Sequence, residues 1–531
     1  MTIDTGSRDA GVRRGGRHRL AALALATTMA GCALQPVYRR PEAPVASTFP
    51  AGAAYPASAA GSTTLPATEI GWRDFLTDPR LQRLVEIALA NNRDLRVAAL
   101  TVQQVQAQYR IQSASLLPQV GAFADGSASR SPSGSSGGRS GGGGVSHSYS
   151  AGVSASWELD FFGRLQSLKD DALQQYLASA EAKKAFEILL VSQVADQYLT
   201  TLAYDELLAV TARTLATAQA SYQLTALQLQ NGTGTELALR QAQTVVEQAT
   251  ASHAAQVRGR AQAENALVLL IGQPMPADLP AAVPLSSQTI LADIPAGLPS
   301  DLLTRRPDVM QAEAMLRGAN ANIGAARAAF FPSINLTGNL GSASAALGGL
   351  FGVGSLAWSF LPSITMPIFQ AGRLQANLDI ATLQKDINVA QYEKSIQVAF
   401  REVADGLAAR GTYGDELAAL ERDSEAQQRS LDLSQMLFKN GVASYLTVLT
   451  AQTGLYSAQL SVVSTRLARL TNLVDLYRTL GGGWIEHTGD ASRSPAAMAA
   501  SPAPPASSAS TVATRSEQDY GSPDPRLGAT K

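Results

Sequence analysis

Few residue groupings in this 531-residue chain have the makings of a reaction centre. Gly134-Ser135-Ser136-Gly137-Gly138 has the Gly-x-Ser-x-Gly spacing of a serine nucleophile on a sharp turn, and Gly352-Val353-Gly354 with Ala357 has that of a dinucleotide-phosphate loop. Both chemistries need a helix directly after the loop. The first grouping lies in a low-complexity Gly/Ser run, and the second leads into an alternating, strand-like stretch. The carboxylate pairs Asp170-Asp171 and Asp415-Glu416 sit in helix-forming sequence and read as solvated helix faces. His18, His147, His253 and His487 are too scattered for a metal cluster, and a single cysteine excludes a cysteine-based zinc site or disulfide framework. No enzyme, metal or cofactor is expected. A net charge of −1 gives no footprint for nucleic acid.

The cysteine has a chemistry of its own. Arg13, Arg14, Arg17 and Arg19 precede a mostly apolar run from Leu20 to Ala30, which is too short to span a bilayer and reads as an export signal over 1–31. Met29-Ala30-Gly31-Cys32 resembles a bacterial lipoprotein cleavage box. Cys32 is thus expected to become a lipidated first residue, and Ala33 in place of Asp implies sorting to the outer membrane.

The elements that carry these residues come in two copies. Asn92 to Val120 aligns on Arg306 to Ile334 at an offset of 214, which places Pro118 on Pro332. A second offset of 209 carries Gly163-Arg164-Leu165 onto Gly372-Arg373-Leu374 and Asn231-Gly232 onto Asn440-Gly441. Units this long lie outside solenoid periods and imply one body built from two halves. Lining a single passage is a natural use of such symmetry. No proline falls between Pro132 and Pro274, or between Pro367 and Pro495. Leu165 to Gln230 is therefore free to be one helix of about 100 Å, with a turn at Asn231-Gly232 and a returning helix from Thr235 to Ile271. Leu374 to Lys439, Asn440-Gly441 and Ser444 to Leu480 repeat this, with continuity favoured across Gly411 and Gly414.

Between the helices, Tyr149 to Asp160 alternates apolar and polar residues, as does Ser333 to Leu340; Pro118 to Asp125 and Leu356 to Ile368 do so more weakly. About ten residues each suffices for a tilted membrane strand. Four strands leave open edges that lipid does not tolerate, so a barrel must be shared between chains. Gly126 to Ser148 reads as the loop joining two strands. The expected organisation is a signal at 1–31, an anchor and extended segment at 32–80, repeats at 81–272 and 301–483, a connector at 273–300 and a disordered tail at 484–531.

Several ordered blocks resemble the TolC-like outer membrane factor family, in particular its lipoprotein branch serving resistance-nodulation-division efflux pumps. They include Pro36-Val37-Tyr38-Arg39-Arg40-Pro41, Ser156-Trp157-Glu158-Leu159-Asp160-Phe161-Phe162-Gly163-Arg164, Arg305-Arg306-Pro307-Asp308, Ile323 to Pro332, Phe400 to Asp405 and Leu480-Gly481-Gly482-Gly483-Trp484. The resemblance implies a mainly α fold with a membrane β-barrel: a homotrimer with a shared 12-stranded barrel and a periplasmic α-helical tube. It implies a periplasmic adaptor (membrane fusion) protein and an inner-membrane RND transporter as partners, besides outer-membrane lipid. The family's gate lies just after the helix turns, which here means Glu236, Leu237 and Ala238, and Tyr445, Leu446, Thr447 and Thr450. Relatives commonly carry Asp at the position of Ala238 and acidic residues at Thr447 and Thr450. Leu237 and Leu446 remain to close the tube by an apolar constriction. A duct for a protein or metal exporter stays open as an alternative, and a soluble coiled-coil adaptor is the weakest, since it leaves the strands unexplained.

Overall fold

The computed structural model describes residues 34–55, 65–130, 145–291, 297 and 299–490. The signal at 1–31, Cys32, the Gly134 to Gly138 motif and the tail beyond 490 lie outside the described residues. After two short helices, α1 (Trp72–Phe75) and α2 (Pro79–Asn91), each half follows one plan. In the first, α3 (Arg93–Ala114) leads to strands β1 (Gln119–Arg130) and β2 (Val145–Leu159), then α4 (Arg164–Gln230) and α5 (Glu236–Ile271). In the second, after the short α6 (Leu302–Arg305), α7 (Pro307–Ala328) leads to β3 (Ser333–Ser344) and β4 (Leu356–Thr365), then α8 (Arg373–Lys439) and α9 (Tyr445–Thr479). Helices α4 and α8 each run unbroken for 67 residues, or about 100 Å. The glycines at 411 and 414 are absorbed, because packing against α9 outweighs a propensity cost of about 1 kcal/mol each.

The duplication extends to single hydrogen bonds. Asn92 Nδ2 donates to the carbonyl of Leu270 at 2.9 Å, tying the start of α3 to the end of α5. At the matching place Arg306 Nη1 donates to the carbonyl of Thr479 at 3.0 Å, tying α7 to α9. Gly272 and Gly481 stop the two returning helices with positive φ, and a Cβ on either would strike the backbone of Asn91 or Arg305. Arg306 does more than Asn92. Its guanidinium, almost fully buried, also meets Asp308 at 2.6 Å and Glu402 of α8 at 2.9 Å.

The four strands form one antiparallel sheet in the order β1-β2-β3-β4. Its β1–β2 and β3–β4 registers are copies of each other, with Gln119 opposite Ser156 and Ser333 opposite Thr365. Residues directly opposite share a face. The registers therefore collect Val120, Ala155, Trp157, Leu336, Leu340, Trp358 and Ile364 on one side, and Asp125, Ser154, Glu158, Asn335, Asn339 and Ser359 on the other. The expected loop from Gly126 to Ser148 is corrected: pairing continues through Gly126 and Tyr149 out to Arg130 and Val145. Ladder bonds on β2 compensate for the poor strand propensity of these small residues.

Helix packing gives a strip in the order α5, α4, α9, α8, with α5 and α8 at its edges. The main core lies where α1 and α2 cover the middle of α4 and the end of α9, and it includes Phe75, Leu81, Leu84, Leu190, Leu199 and Tyr477. Phe75 stacks on Tyr477 with ring centroids 4.0 Å apart. The expected boundary at 483 is also corrected. Trp72 and Arg73 donate backbone bonds to Ile485 and Glu486, Ile485 is buried, and Lys184 lies over the Trp484 ring, so packed structure runs on to Asp490.

Candidate functional site

The two hairpin ends of the long helices are built alike. Asn231 and Asn440 cap α4 and α8 by donating to Leu227 and Met436, and Gly232 and Gly441 follow with φ of 71°. Each next helix starts from a hydroxyl residue, Thr235 or Ser444; the Thr235 side chain accepts from the Ala238 amide at 3.2 Å. This geometry decides which side chains of the first turns reach solvent.

Leu237 is 69% exposed and Leu446 is 56% exposed; single exposed leucines are ordinary on a surface, and these two stand out by holding matching places in the first turns after the two hairpins. Glu236 is exposed and pairs with Arg240 at 3.4 Å, an i,i+4 contact of little energetic weight in water. Thr447 and Thr450 are exposed, and Thr450 spends its hydroxyl proton on the Leu446 carbonyl at 2.9 Å. With Leu446 they line a cleft of about 420 Å³ shared with Gln427, Ser430 and Ser434 of α8. Ala238 is partly buried.

Tyr445 is the exception and a correction to the expected gate set. It is 3% exposed, packs with Ala242, Leu431 and Val448, and meets the Phe438 ring edge-on at 5.5 Å. Burial raises its phenol above the usual value, and its hydroxyl has no partner among the described residues. Tyr445 thus holds α9 against α8 and stands behind Leu446 rather than beside it.

A second constellation, absent from the sequence reading, grips the extended segment that follows Cys32. Glu313, Arg317, Asn320, Gly324 and Arg327 lie at helical spacing along one face of α7. Glu313 accepts from Tyr38 Oη at 3.1 Å and from Arg40 at 3.0 and 2.8 Å, and Arg317 joins it at 2.7 Å. Asn320 donates to the carbonyl of Pro36 at 2.7 Å, and Arg327 to that of Leu34 at 3.3 Å. A Cβ on Gly324 would lie 2.9 Å from the Cα of Gln35, so only glycine admits the strap here. The strap runs antiparallel to α7, which brings Leu34 to the end from which β3 departs. Burial alone would raise the Glu313 carboxyl, but hydrogen bonds from Arg40 and Arg317 outweigh it and hold it below the ordinary 4.5. Its contribution is present above that value and lost as pH falls through the lowered folded-state value. Glu313→Gln is expected to free the strap at neutral pH, measured as faster amide exchange at 34–40, while the wild-type strap loosens only in acid.

Among the described residues, no group of His, Cys, Asp and Glu could hold a metal ion, and no helix is long and apolar enough to cross a membrane. The outer membrane efflux protein family model matches residues 84–273 and 298–482. The toluene efflux pump outer membrane protein TtgC of Pseudomonas putida is 48% identical over 476 residues, 89% of this chain and 97% of that protein. The antibiotic efflux pump outer membrane protein ArpC of Pseudomonas putida matches with the same figures. The crystal structure of the open state of the Neisseria gonorrhoeae MtrE outer membrane channel is 41% identical. It superposes with a TM-score of 0.77 over 86% of this chain and 100% of that one.

Proposed function

The chain belongs to the outer membrane efflux protein family, and we propose that three copies of it form one passive, non-enzymatic duct. As in that family, it is the outer-membrane exit channel of an efflux system. The observation that carries the trimeric reading is the sheet. One face is apolar and the other polar, as a lipid-facing barrel wall requires, and β1 and β4 are unpaired edges that lipid does not tolerate. Three copies supply the 12 strands the family resemblance implies. The helical strip continues the wall as a periplasmic tube, delivering solute received from an adaptor protein and an inner-membrane RND transporter. Small apolar or amphiphilic solutes, as the names of the toluene and antibiotic pump relatives suggest, are the proposed cargo.

Leu237 and Leu446 are the proposed constriction, with Glu236, Thr447 and Thr450 beside them. Lipidation of Cys32 fits the strap: Cys32 lies two residues before Leu34, at most about 7 Å of extended chain away, and Leu34 is held at the barrel end of α7. Acyl chains there would enter the periplasmic leaflet of the membrane that the strands cross. Mass spectrometry tests both statements on detergent-extracted protein. The intact particle should weigh three chains, and the denatured chain should begin at a Cys32 carrying acyl groups. A one- or two-chain particle, or an unmodified Cys32, overturns the corresponding statement.

A further inference from the structure

β3 rises from α7 and β4 returns to α8, so the loop between them lies at the end of the sheet farthest from the helical strip. From Ala345 to Gly354 this loop has no side chain that can hydrogen-bond. The segment that joins β1 and β2 in the first half, Ser131 to Gly144, is made of Ser, Gly, Pro and Arg, an ordinary composition for a turn in water. Leu347, Leu350, Phe351 and Val353 are not. The loop is also closely tied to the strands. Leu350 donates to the Leu347 carbonyl at 3.2 Å and Gly352 to that of Gly349 at 3.1 Å, making two tight turns in succession. Ser342 Oγ meets the Leu350 carbonyl and lies 2.6 Å from Ser355 Oγ, which donates to the Gly352 carbonyl at 2.8 Å. Ser344 Oγ accepts from the Ala346 amide at 3.2 Å, and a Cβ on Gly349 would lie 2.8 Å from it.

The two serines that hold the loop decide which way it leans. Ser342 stands opposite Leu356 and Ser344 opposite Tyr149, which puts both on the apolar face with Trp157, Leu336 and Leu340. The loop therefore folds toward the apolar wall and away from the polar face. Phe351 is 82% exposed, and Leu347, Val353, Leu356 and Trp358 are exposed with it, so the loop prolongs the apolar surface of the strands. From Ile364 to Leu356 that surface climbs about 20 Å at a strand tilt of about 40°, against an apolar band of about 25 Å for an outer-membrane barrel. The loop thus begins at the outer boundary of the band. We infer that it is a membrane anchor, with Leu347, Phe351 and Val353 entering the acyl chains of the outer leaflet just beneath the headgroups. The inference rests on the proposed lipid-facing wall and extends it beyond the strands. Water at that level would leave three large apolar side chains hydrated, whereas acyl chains cover them without any change in the fold.

Single cysteines carrying an NBD fluorophore test the anchor in the full-length protein, reconstituted into phosphatidylcholine vesicles. Phe351→Cys and Val353→Cys report on the loop, the second with Phe351 still in place. Leu356→Cys reports on the wall and Ser129→Cys on the polar outer end of β1, and labelling of Cys32 is read from the unsubstituted protein. A doxyl group placed high on the lipid chain should quench the probes at 351, 353 and 356 at least about twofold, while iodide in the water should quench mainly the probe at 129. Iodide quenching at 351 and 353 without lipid quenching would put the loop in water and overturn the anchor. Quenching by neither would mean that a neighbouring copy or the lumen encloses the loop, which overturns it as well. Lipid quenching at 356 alone removes the anchor and leaves the wall standing. Lipid quenching at none of the three removes both.

Discussion

Exchange of Arg306 for leucine is expected to lower the melting temperature and the yield of folded protein. The side chain is 7% exposed and holds three elements at once: Asp308 at the start of α7, Glu402 on α8, and the Thr479 carbonyl at the end of α9. Leucine fills similar space yet leaves two carboxylates and a carbonyl without their donor. Removing one member of a fully buried ion pair costs about 3–5 kcal/mol, but Asp308 is 43% and Glu402 26% exposed and water can partly replace the lost donor. The expected cost is therefore about 1–3 kcal/mol, still a sizeable share of the about 5–15 kcal/mol that a folded domain commands. Arg306→Lys keeps the charge but loses the planar fork that serves all three acceptors, and should fall between leucine and wild type. Thermal melting and the yield of detergent-extracted protein are the readouts. Wild-type melting of the leucine variant would mean that the carboxylates find other partners and that the cluster does not tie the second half together.

Leu446→Asp is expected to make the channel leak. Around the axis of a shared tube the substitution places like charges near one another, and their repulsion grows as water is excluded between them. Hydration of the proposed constriction would then let ions pass. Planar-bilayer recordings should show several-fold higher conductance, and cells should become sensitive to large antibiotics that the outer membrane otherwise excludes. Leu446→Ala should be milder, because it widens the passage without charge. Unchanged conductance in a correctly assembled Leu446→Asp protein would assign Leu446 to helix packing and place the closure elsewhere.

What the sequence discloses here follows physical locality. The long helices are legible because proline is absent from them, and the hairpin turns because Asn-Gly supplies left-handed backbone at a helix end. The outer ends of β1 and β2 are not legible: Gly126, Ser127 and Ala128 have no strand preference of their own and pair only because Tyr149, Ser148 and His147 lie opposite. Tyr445 illustrates the cost of reading a site by proximity to a turn. Helical period places 445, 448, 452 and 455 on one face, which is buried, and 446 and 450 on another. The α7 stripe escapes notice for the opposite reason. Glu313, Arg317 and Asn320 look like a solvated face, and nothing in an aperiodic segment such as Leu34 to Arg40 announces that it will lie there.

The covalent union of the two halves has a consequence for how the channel assembles. In any closed ring of such chains, half of the seams are internal and form at the effective concentration of a tethered partner, on the order of millimolar for short linkers. Only the other half depend on encounters between molecules. Cutting the chain between Leu291 and Gly297 would spare the part of the connector, including Leu285, Gln288 and Leu291, that packs on the core. It would double the number of pieces to be gathered, and the yield of rings would fall far more steeply on dilution. Fusion of the halves thus lets the ring close at a lower concentration of chains.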